Sequence, residues 1–241
     1  LAVSLIPHIG ITLLSFAKLW SFSVLPKTYT LGHYGEVFLQ TPHFVKNTLL
    51  YCLLAAGIDV VLGALIAYLL VRGRIPGKGV LDAAATLPLA IPGVVLGIGY
   101  LRVFHGHEIP LLGGPLTSTW FILVLAYAAR RLPYTLRACH AAMQQIHESY
   151  EEAAQNLGAS RRRTFLKITF PLMIGGAVAG GILSFITSTV ELSSTMMLVP
   201  KNEYGPLSFG IYVYMQSAVG RGPGAALGVV AIAVVAVGIY A

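Results

Sequence analysis

Two acidic residues lie inside or at the end of long apolar stretches of this sequence, where an ionised side chain is costly. Asp59 is near the middle of one stretch and Glu191 ends another. Charged residues in such places are candidates for a functional role, because removing a charge from water is expensive. Hydroxyl side chains surround the second acid, at Ser184, Thr187, Ser188, Thr189, Ser193, Ser194 and Thr195. Carboxylate and hydroxyl groups in this pattern would suit a water-filled path for a polar solute.

The hypothesis of a translocation path has a structural alternative. Its candidate residues are Glu191, Ser188, Thr187, Ser194 and Asp59. Hydroxyl groups in apolar helices also bond back to their own helix or across to a neighbouring one. We favour the path for Glu191 and its neighbours, and a buried structural hydrogen bond for Asp59.

The sequence gives little support for catalysis, metal binding or ATP binding. No nucleophile is paired with a base, so we assign no catalytic residue. His105 and His107 offer only two ligands in a loop, and we predict no metal site. Residues 73–79 come nearest to a phosphate-binding loop, but they are one residue short and lack its Ser or Thr. We therefore do not expect this chain to be an enzyme or to bind ATP.

Composition indicates a polytopic helical membrane protein. Apolar residues make up 56% of the chain and charged residues only 10%, whereas a soluble domain has about a quarter of its residues charged. The excess of basic residues, 16 Lys and Arg against 9 Asp and Glu, could suggest nucleic acid. Because these cations lie in short loops between apolar runs, they indicate membrane orientation instead, and we expect no nucleic-acid partner.

About six apolar segments approach the roughly 20 residues that a helix needs to cross a bilayer. They are residues 1–17, 45–71, 81–104, 116–130, 170–190 and 224–241. Each must be helical, because lipid cannot satisfy an open backbone. Pro88 and Pro92 predict a kinked or broken third span. Glycine pairs at 93 and 97 and at 176 and 180 predict close helix packing. The predicted fold class is therefore all-α, a polytopic membrane helix bundle.

Positive charges predict the orientation of these spans. They cluster in the 72–80 and 131–169 loops, which the positive-inside rule places in the cytoplasm. The remaining loops, 18–44, 105–115 and 191–223, would then face outward. Leu1 and Ala241 both fall within apolar runs, so we expect both ends to be truncated and the sequence to belong to a longer polypeptide.

A helix–turn–helix pattern lies in the longer predicted cytoplasmic loop. Apolar residues at three- and four-residue steps predict an amphipathic helix over residues 143–157. Gly158 suits the left-handed residue that ends a helix, and Ser160 suits the N-cap of a second helix running to residue 168. Pro171 predicts a bend at the entry to the fifth span.

The arginines at 161–163 begin the second predicted helix, where they oppose its dipole. They call for an anionic partner, either lipid headgroups or acidic residues of a protein. The residues alone leave a docking element and an unpartnered interfacial helix equally open.

The spacing in this loop resembles the signature of importer permeases of the ATP-binding-cassette superfamily, with the MetI-like fold of maltose and methionine permeases. The matching residues are Glu152, Ala153, Ala154, Gly158, Ile168 and Pro171. Phe170 replaces the usual Leu before the proline. The resemblance implies that a coupling loop, residues 143–170, seats on a cytosolic ATPase through these six residues. It follows the order of spans along essentially the whole chain.

The resemblance also implies the partners. It predicts a dimer of ATP-binding-cassette ATPases that binds ATP and Mg, so this chain itself would hold no cofactor. It further predicts a second permease half, fused or separate, and a periplasmic substrate-binding protein. Residues 1–241 would form one transmembrane domain in the bacterial inner membrane, with the coupling loop in the cytoplasm.

The cargo is less tightly specified. Residues 5–20, 87–93 and 191–198 resemble permeases of ferric-iron and 2-aminoethylphosphonate importers, in several of which two permease halves are fused. Ferric iron is our first prediction, with 2-aminoethylphosphonate, polyamine, sulfate and thiamine as alternatives. A secondary transporter driven by an ion gradient is the rival class. It would need charged pairs within the bundle, for which Asp59 and Glu191 are the candidates.

Overall fold

The computed structural model describes residues 2–20, 23–109, 114–216 and 221–240. Leu1, Ala241 and parts of the predicted outward loops, at 21–22, 110–113 and 217–220, lie outside the described residues. The α-helices are α1 Ala2–Phe16, α2 Gly32–Gly35, α3 His43–Val71, α4 Lys78–Ala90, α5 Gly93–Phe104, α6 Phe121–Gln145, α7 Ser149–Asn156, α8 Arg161–Thr164, α9 Phe170–Thr189, α10 Thr195–Leu198, α11 Leu207–Met215 and α12 Arg221–Tyr240. The described part also contains π-helical turns at Glu36–Gln40 and Phe165–Thr169 and 3₁₀ turns at Leu116–Ser118 and Asn202–Tyr204. Its strands, Glu108–Ile109 and Gly114–Pro115, are short and pair antiparallel. The all-α prediction is confirmed.

Three helices of the described chain are long and apolar enough to cross a membrane. They are His43–Val71, Arg161–Thr189 and Arg221–Tyr240. A fourth is added if α4 and α5 form one span, bent by 111° at its break. Ile91, before Pro92, is extended with φ −88° and ψ 131°, because a residue that precedes proline is driven out of the helical region. The predicted break in the third span is confirmed.

Two of the predicted spans correspond to α1 and α6. Helix α1, with 15 residues, lies within the predicted segment 1–17. The predicted fourth span, 116–130, lies partly in α6, which begins at Phe121 and continues to Gln145. Two arginines within α6 contact neighbouring helices. Arg131 donates to the Thr187 carbonyl at 3.0 Å, and Arg137 lies 2.9 Å from Asp82.

The chain divides into two compact units. The first comprises Leu1–Tyr51, Gly97–Leu123 and Thr189–Ala241, and the second comprises Cys52–Leu96 and Val124–Ser188. A single transmembrane domain over residues 1–241 stays a prediction.

The first unit is built around α12, which packs against α1 and α11. Its buried apolar core consists of Val37, Phe44, Leu207, Ala226 and Leu227. The Thr48 hydroxyl accepts the backbone N–H of Leu207 at 2.6 Å and donates to the Phe44 carbonyl at 2.8 Å. This hydroxyl fixes the start of α11 on α3.

The second unit contains α6 and α9 in close backbone contact, together with the part of α3 that follows Tyr51. A Cβ atom on Gly180 would lie 2.5 Å from Thr135 Cα, and one on Gly176 would lie 2.7 Å from the Ala138 carbonyl oxygen. On α3, a Cβ atom at Gly63 would lie 3.0 Å from the Leu136 nitrogen. Only glycine permits these approaches, so the packing role predicted for residues 176 and 180 is confirmed.

Candidate functional site

The 143–170 loop folds as two helical segments, but the first is shorter than predicted. Helix α6 carries Met143 and ends at Gln145, and α7 begins only at Ser149. Between them, the His147 ring accepts the Ser149 N–H at 3.2 Å and meets the Ser149 hydroxyl at 2.8 Å. A single helix over 143–157 was therefore the wrong prediction, because the helix ends at Gln145 and a new one begins at Ser149.

The turn that follows α7 matches its prediction closely. Gly158 has φ +86°, in the left-handed region. The Gly158 N–H donates to the Gln155 carbonyl at 2.9 Å, and the Ala159 N–H donates to the Ala154 carbonyl at 3.0 Å. This pair of bonds is the Schellman termination of a helix. Ser160 then accepts the Arg163 N–H at 3.3 Å, as the predicted N-cap does.

Beyond Ser160, one helix runs through Arg161–Thr189 without a break. The helix neither ends nor restarts at Pro171, contrary to the expected two-part arrangement. The π turn Phe165–Thr169 lies directly before the proline, and the Phe170 N–H bonds to the Phe165 carbonyl. This wider turn accommodates a residue that lacks an N–H and carries a bulky ring. The loop therefore continues directly into a membrane-length helix.

The six signature residues differ in their exposure. Glu152, Ala153, Gly158 and Pro171 are exposed, Ile168 is half-buried and Ala154 is buried. Next to the turn, Leu157 is 90% exposed. The N-terminal part of the loop thus presents an acidic and apolar surface beside a fixed turn.

A buried ion pair that was not predicted from the sequence lies beneath this surface. Arg72 Nε lies 3.3 Å from Glu151 Oε1, and Thr169 Oγ1 donates to the same oxygen at 3.2 Å. Sequence spacing could not connect these groups, because Arg72 and Glu151 are 79 positions apart. The only sequence signal was an arginine directly after an apolar helix.

A groove of about 760 Å³ opens between the end of α3 and the helices of the loop. Its lining includes Arg74, Arg161 and Arg162 together with Glu148 and Glu152. The groove therefore mixes charges of both signs, which suits recognition of a polar protein surface.

The path candidates of the second unit are packed into helix contacts. Asp59 is buried, and its Oδ2 accepts the Ser184 hydroxyl at 2.6 Å. Thr187 donates to the Leu183 carbonyl of its own helix at 2.7 Å. Ser188 is buried. The bond to Asp59 is of the structural kind that we expected, and a path role for these residues stays a prediction.

In the first unit, Glu191 organises the turn before α10. Its Oε1 accepts the Ser193 hydroxyl at 2.6 Å and the Ser194 N–H at 3.2 Å. Its carbonyl accepts the hydroxyls of Thr195 at 2.7 Å and Ser208 at 2.8 Å. The path role of Glu191 and Ser194 likewise stays a prediction.

Metal-ligating residues do not cluster in the described ranges. No group of three or more His, Cys, Asp or Glu side chains there could hold a metal ion. His105 and His107 are both exposed, and a His107 ring nitrogen lies 3.3 Å from the His105 carbonyl oxygen.

Comparison with known proteins gives a consistent match. Residues 59–241 match the family described as "Binding-protein-dependent transport system inner membrane component". The sulfate transport system permease protein CysT of Escherichia coli strain K12 is 33% identical over 175 residues, which cover 69% of this chain and 63% of that protein. The molybdenum transport system permease protein ModB of the same strain is 34% identical over 179 residues, with 71% and 78% covered.

A third relative is the ferric transport system permease protein FbpB of Actinobacillus pleuropneumoniae. It is 32% identical over 178 residues, which cover 71% of this chain and 25% of that protein. The chain therefore spans less than two thirds of the sulfate relative and about a quarter of the ferric one.

Solved structures show the same fold. A bacterial ABC transporter that imports the acidic polysaccharide alginate aligns with TM-score 0.63 at 19% identity, covering 98% of this chain and 88% of that chain. The MetNI methionine ABC transporter, in an inward-facing conformation, aligns with TM-score 0.60 at 18% identity, covering 82% and 90%. At these identities the likeness concerns the fold alone, and it confirms the predicted MetI-like fold.

Proposed function

Because the chain belongs to the family of binding-protein-dependent transport system inner membrane components, we propose that it is the permease subunit of an ATP-driven importer. The 143–170 loop is the observation that supports this proposal most strongly. Its exposed Glu152 and Ala153 precede the fixed turn at Gly158, and the chain then continues as the single helix Arg161–Thr189. A force applied to the turn would therefore act directly on a membrane-length helix.

A permease subunit of this kind also requires partner proteins. A cytosolic ATPase dimer, holding ATP and Mg, would contact Glu152, Ala153, Ala154, Gly158, Ile168 and Pro171. A second permease half, fused or separate, would complete the path, and a periplasmic binding protein would deliver the cargo. The chain would be a multi-pass protein of the bacterial inner membrane with the loop in the cytoplasm.

We propose a small inorganic ion as the cargo, with ferric iron to be tested first. Relatives named for sulfate, molybdenum and ferric transport are 33%, 34% and 32% identical. These values do not separate a ferric ion from a tetrahedral oxyanion. The organic cargoes 2-aminoethylphosphonate, polyamine and thiamine remain the alternatives.

Uptake by reconstituted complexes tests this proposal. The permease would be purified with the ATPase and binding protein encoded in neighbouring reading frames, and placed in liposomes. We expect the ATPase to co-purify and one of radiolabelled ferric iron, sulfate or molybdate to enter when ATP is supplied. Failure of the ATPase to associate would contradict the permease assignment. A complex that associates but carries only an organic cargo would contradict the inorganic ion alone.

An ion-gradient-driven transporter is the second candidate, and one observation favours it. Asp59 is a buried acid within a membrane-length helix. Buried charges of this kind carry protons or ions in secondary transporters. The source of energy for uptake separates the two candidates.

A further inference from the structure

A single carboxylate oxygen joins α7 to two other parts of the second unit. Glu151 Oε1 lies 3.3 Å from Arg72 Nε and 3.2 Å from Thr169 Oγ1, which donates to it. Arg72 directly follows α3, and Thr169 is the last residue of the π turn before α9. The carboxylate is therefore a junction between α7 and two membrane-length helices.

The junction is shielded from water. The Arg72 side chain is 12% exposed and that of Glu151 is 8% exposed, and Thr169 is buried. Removing one partner of a shielded pair leaves a charge without compensation, so such pairs resist separation. The contact between Arg72 and Glu148 is different, because Glu148 is 64% exposed and their 3.6 Å separation is screened by solvent.

Arg72 also holds the break between α6 and α7. Its guanidinium donates to the Ile146 carbonyl, just beyond the end of α6. Carbonyls at a helix end lack partners within the helix, and a nearby cation is favourable to them. One side chain thus fixes both the end of α6 and the position of α7.

Helix α7 has few other buried contacts. Of its eight residues, all of them described, Glu151 and Ala154 are the ones that are buried. A buried alanine methyl carries no directional bond, whereas the carboxylate of Glu151 has partners at defined positions. The orientation of α7 therefore depends mainly on Glu151.

We propose that Arg72 and Glu151 are positioning residues that transmit movement of α7 to α3 and α9. This inference rests on the proposed importer function, in which an ATPase displaces the loop. An intact junction makes the three segments move together, because its charged groups cannot separate without losing their partners. A broken junction lets α7 tilt alone, so that ATP is hydrolysed without a movement of α3 and α9.

The test compares uptake with hydrolysis in one preparation. Complexes of this chain with its ATPase and binding protein would be reconstituted, and both rates measured with whichever of ferric iron, sulfate or molybdate the wild type carries. We expect Glu151→Gln to lower the uptake per ATP hydrolysed by roughly ten-fold, a typical coupling factor, with hydrolysis retained. Arg72→Lys, which keeps the charge but loses the branched guanidinium, should give a smaller loss.

Arg137→Gln is the matched control. It breaks the ion pair with Asp82, whose separation is 2.9 Å, and this pair joins α4 to α6 and has side chains that are 51% and 34% exposed. The uptake per ATP should stay at the wild-type value. Thr169→Val keeps the side-chain shape and removes only the link to α9, so it provides the test if Glu151→Gln fails to assemble.

The outcomes separate the inference from the function on which it rests. An assembled Glu151→Gln complex, or in its place Thr169→Val, with wild-type uptake per ATP would overturn the role of the junction. A wild-type complex without ATP-driven uptake would instead overturn the importer assignment, and the inference with it. An equal loss of uptake per ATP in the Arg137→Gln complex would show that the junction has no special role in coupling.

Discussion

Ser184 on α9 donates a hydrogen bond to Asp59 on α3, with 2.6 Å between the hydroxyl oxygen and Oδ2. Both residues are buried and belong to helices of membrane length. Within the described part of the chain, the other carboxylate oxygen of Asp59 has no hydrogen-bond partner. The Ser184 hydroxyl is therefore a principal polar contact of a buried acid.

Removal of this hydroxyl should destabilise the protein. Ser184→Ala leaves Asp59 without its hydrogen bond, and an unsatisfied buried group costs about 1–3 kcal/mol. Thermal unfolding of the purified protein in detergent measures the effect. Thr187→Val is the control, because the Thr187 hydroxyl bonds to carbonyls of its own helix, at 2.7 Å and 3.2 Å. Equal melting temperatures for the two variants would contradict a special role for the Asp59 bond.

Close packing of α9 against α6 predicts a second stability effect. A Cβ atom on Gly180 would lie 2.5 Å from the Thr135 backbone, so Gly180→Ala forces the helices apart at a cost of about 1–3 kcal/mol. Gly175→Ala is the matched control, because no described atom lies within 4 Å of the Cβ position there. The fraction of protein that elutes as a folded species from size-exclusion chromatography, together with its melting temperature, checks the difference. A wild-type profile for Gly180→Ala would rule out the close contact.

The left-handed turn predicts a graded series of variants at residue 158. No described atom lies within 4 Å of a Cβ atom on Gly158, whose φ is +86°, so any effect comes from backbone strain and not from a clash. Asn tolerates this conformation best, Ala costs about 1–2 kcal/mol and Val more. Uptake per ATP should therefore fall in the order Asn, Ala, Val, while immunoblots show equal amounts in the membrane. The turn is irrelevant to coupling if the Val variant transports normally.

The exposed leucine beside the turn predicts a contact with the ATPase. Leu157 is 90% exposed, and large apolar side chains at the centre of an interface carry much of its affinity. Leu157→Ser should raise the Kd for the ATPase about five- to a hundred-fold, which corresponds to roughly 1–3 kcal/mol. Leu39→Ser, at a leucine of the first unit that is 83% exposed, should leave the Kd unchanged. Surface plasmon resonance with the immobilised permease compares them, and equal Kd values would place the interface elsewhere.

Features that depend on residues adjacent in the sequence were predicted correctly. The left-handed glycine at 158 and the cap at Ser160 follow from local backbone chemistry, and both were predicted. The broken third span follows equally from Pro92, which restricts the residue before it. The close contact at Gly180 was predicted from small residues on one helical face, although its partner on α6 could not be.

Features that depend on a partner far away in the sequence were not predicted. The burial of Glu151 was not predicted, because no residue near it in the sequence indicates a contact with Arg72. The continuation of α6 to Gln145, beyond the predicted span 116–130, was not predicted, and its Arg131 and Arg137 bond to other helices. A bend at Pro171 stays a prediction, and the helix Arg161–Thr189 continues through this proline after the π turn Phe165–Thr169.

The source of energy for uptake tests the importer assignment most directly. Liposomes that contain the complex would be given ATP with the proton gradient collapsed by an uncoupler, and separately a proton gradient without ATP. We predict uptake of the transported ion in the first condition, its loss with a non-hydrolysable ATP analogue, and none in the second. Uptake that persists without ATP and disappears with the uncoupler would contradict the importer and identify a secondary transporter.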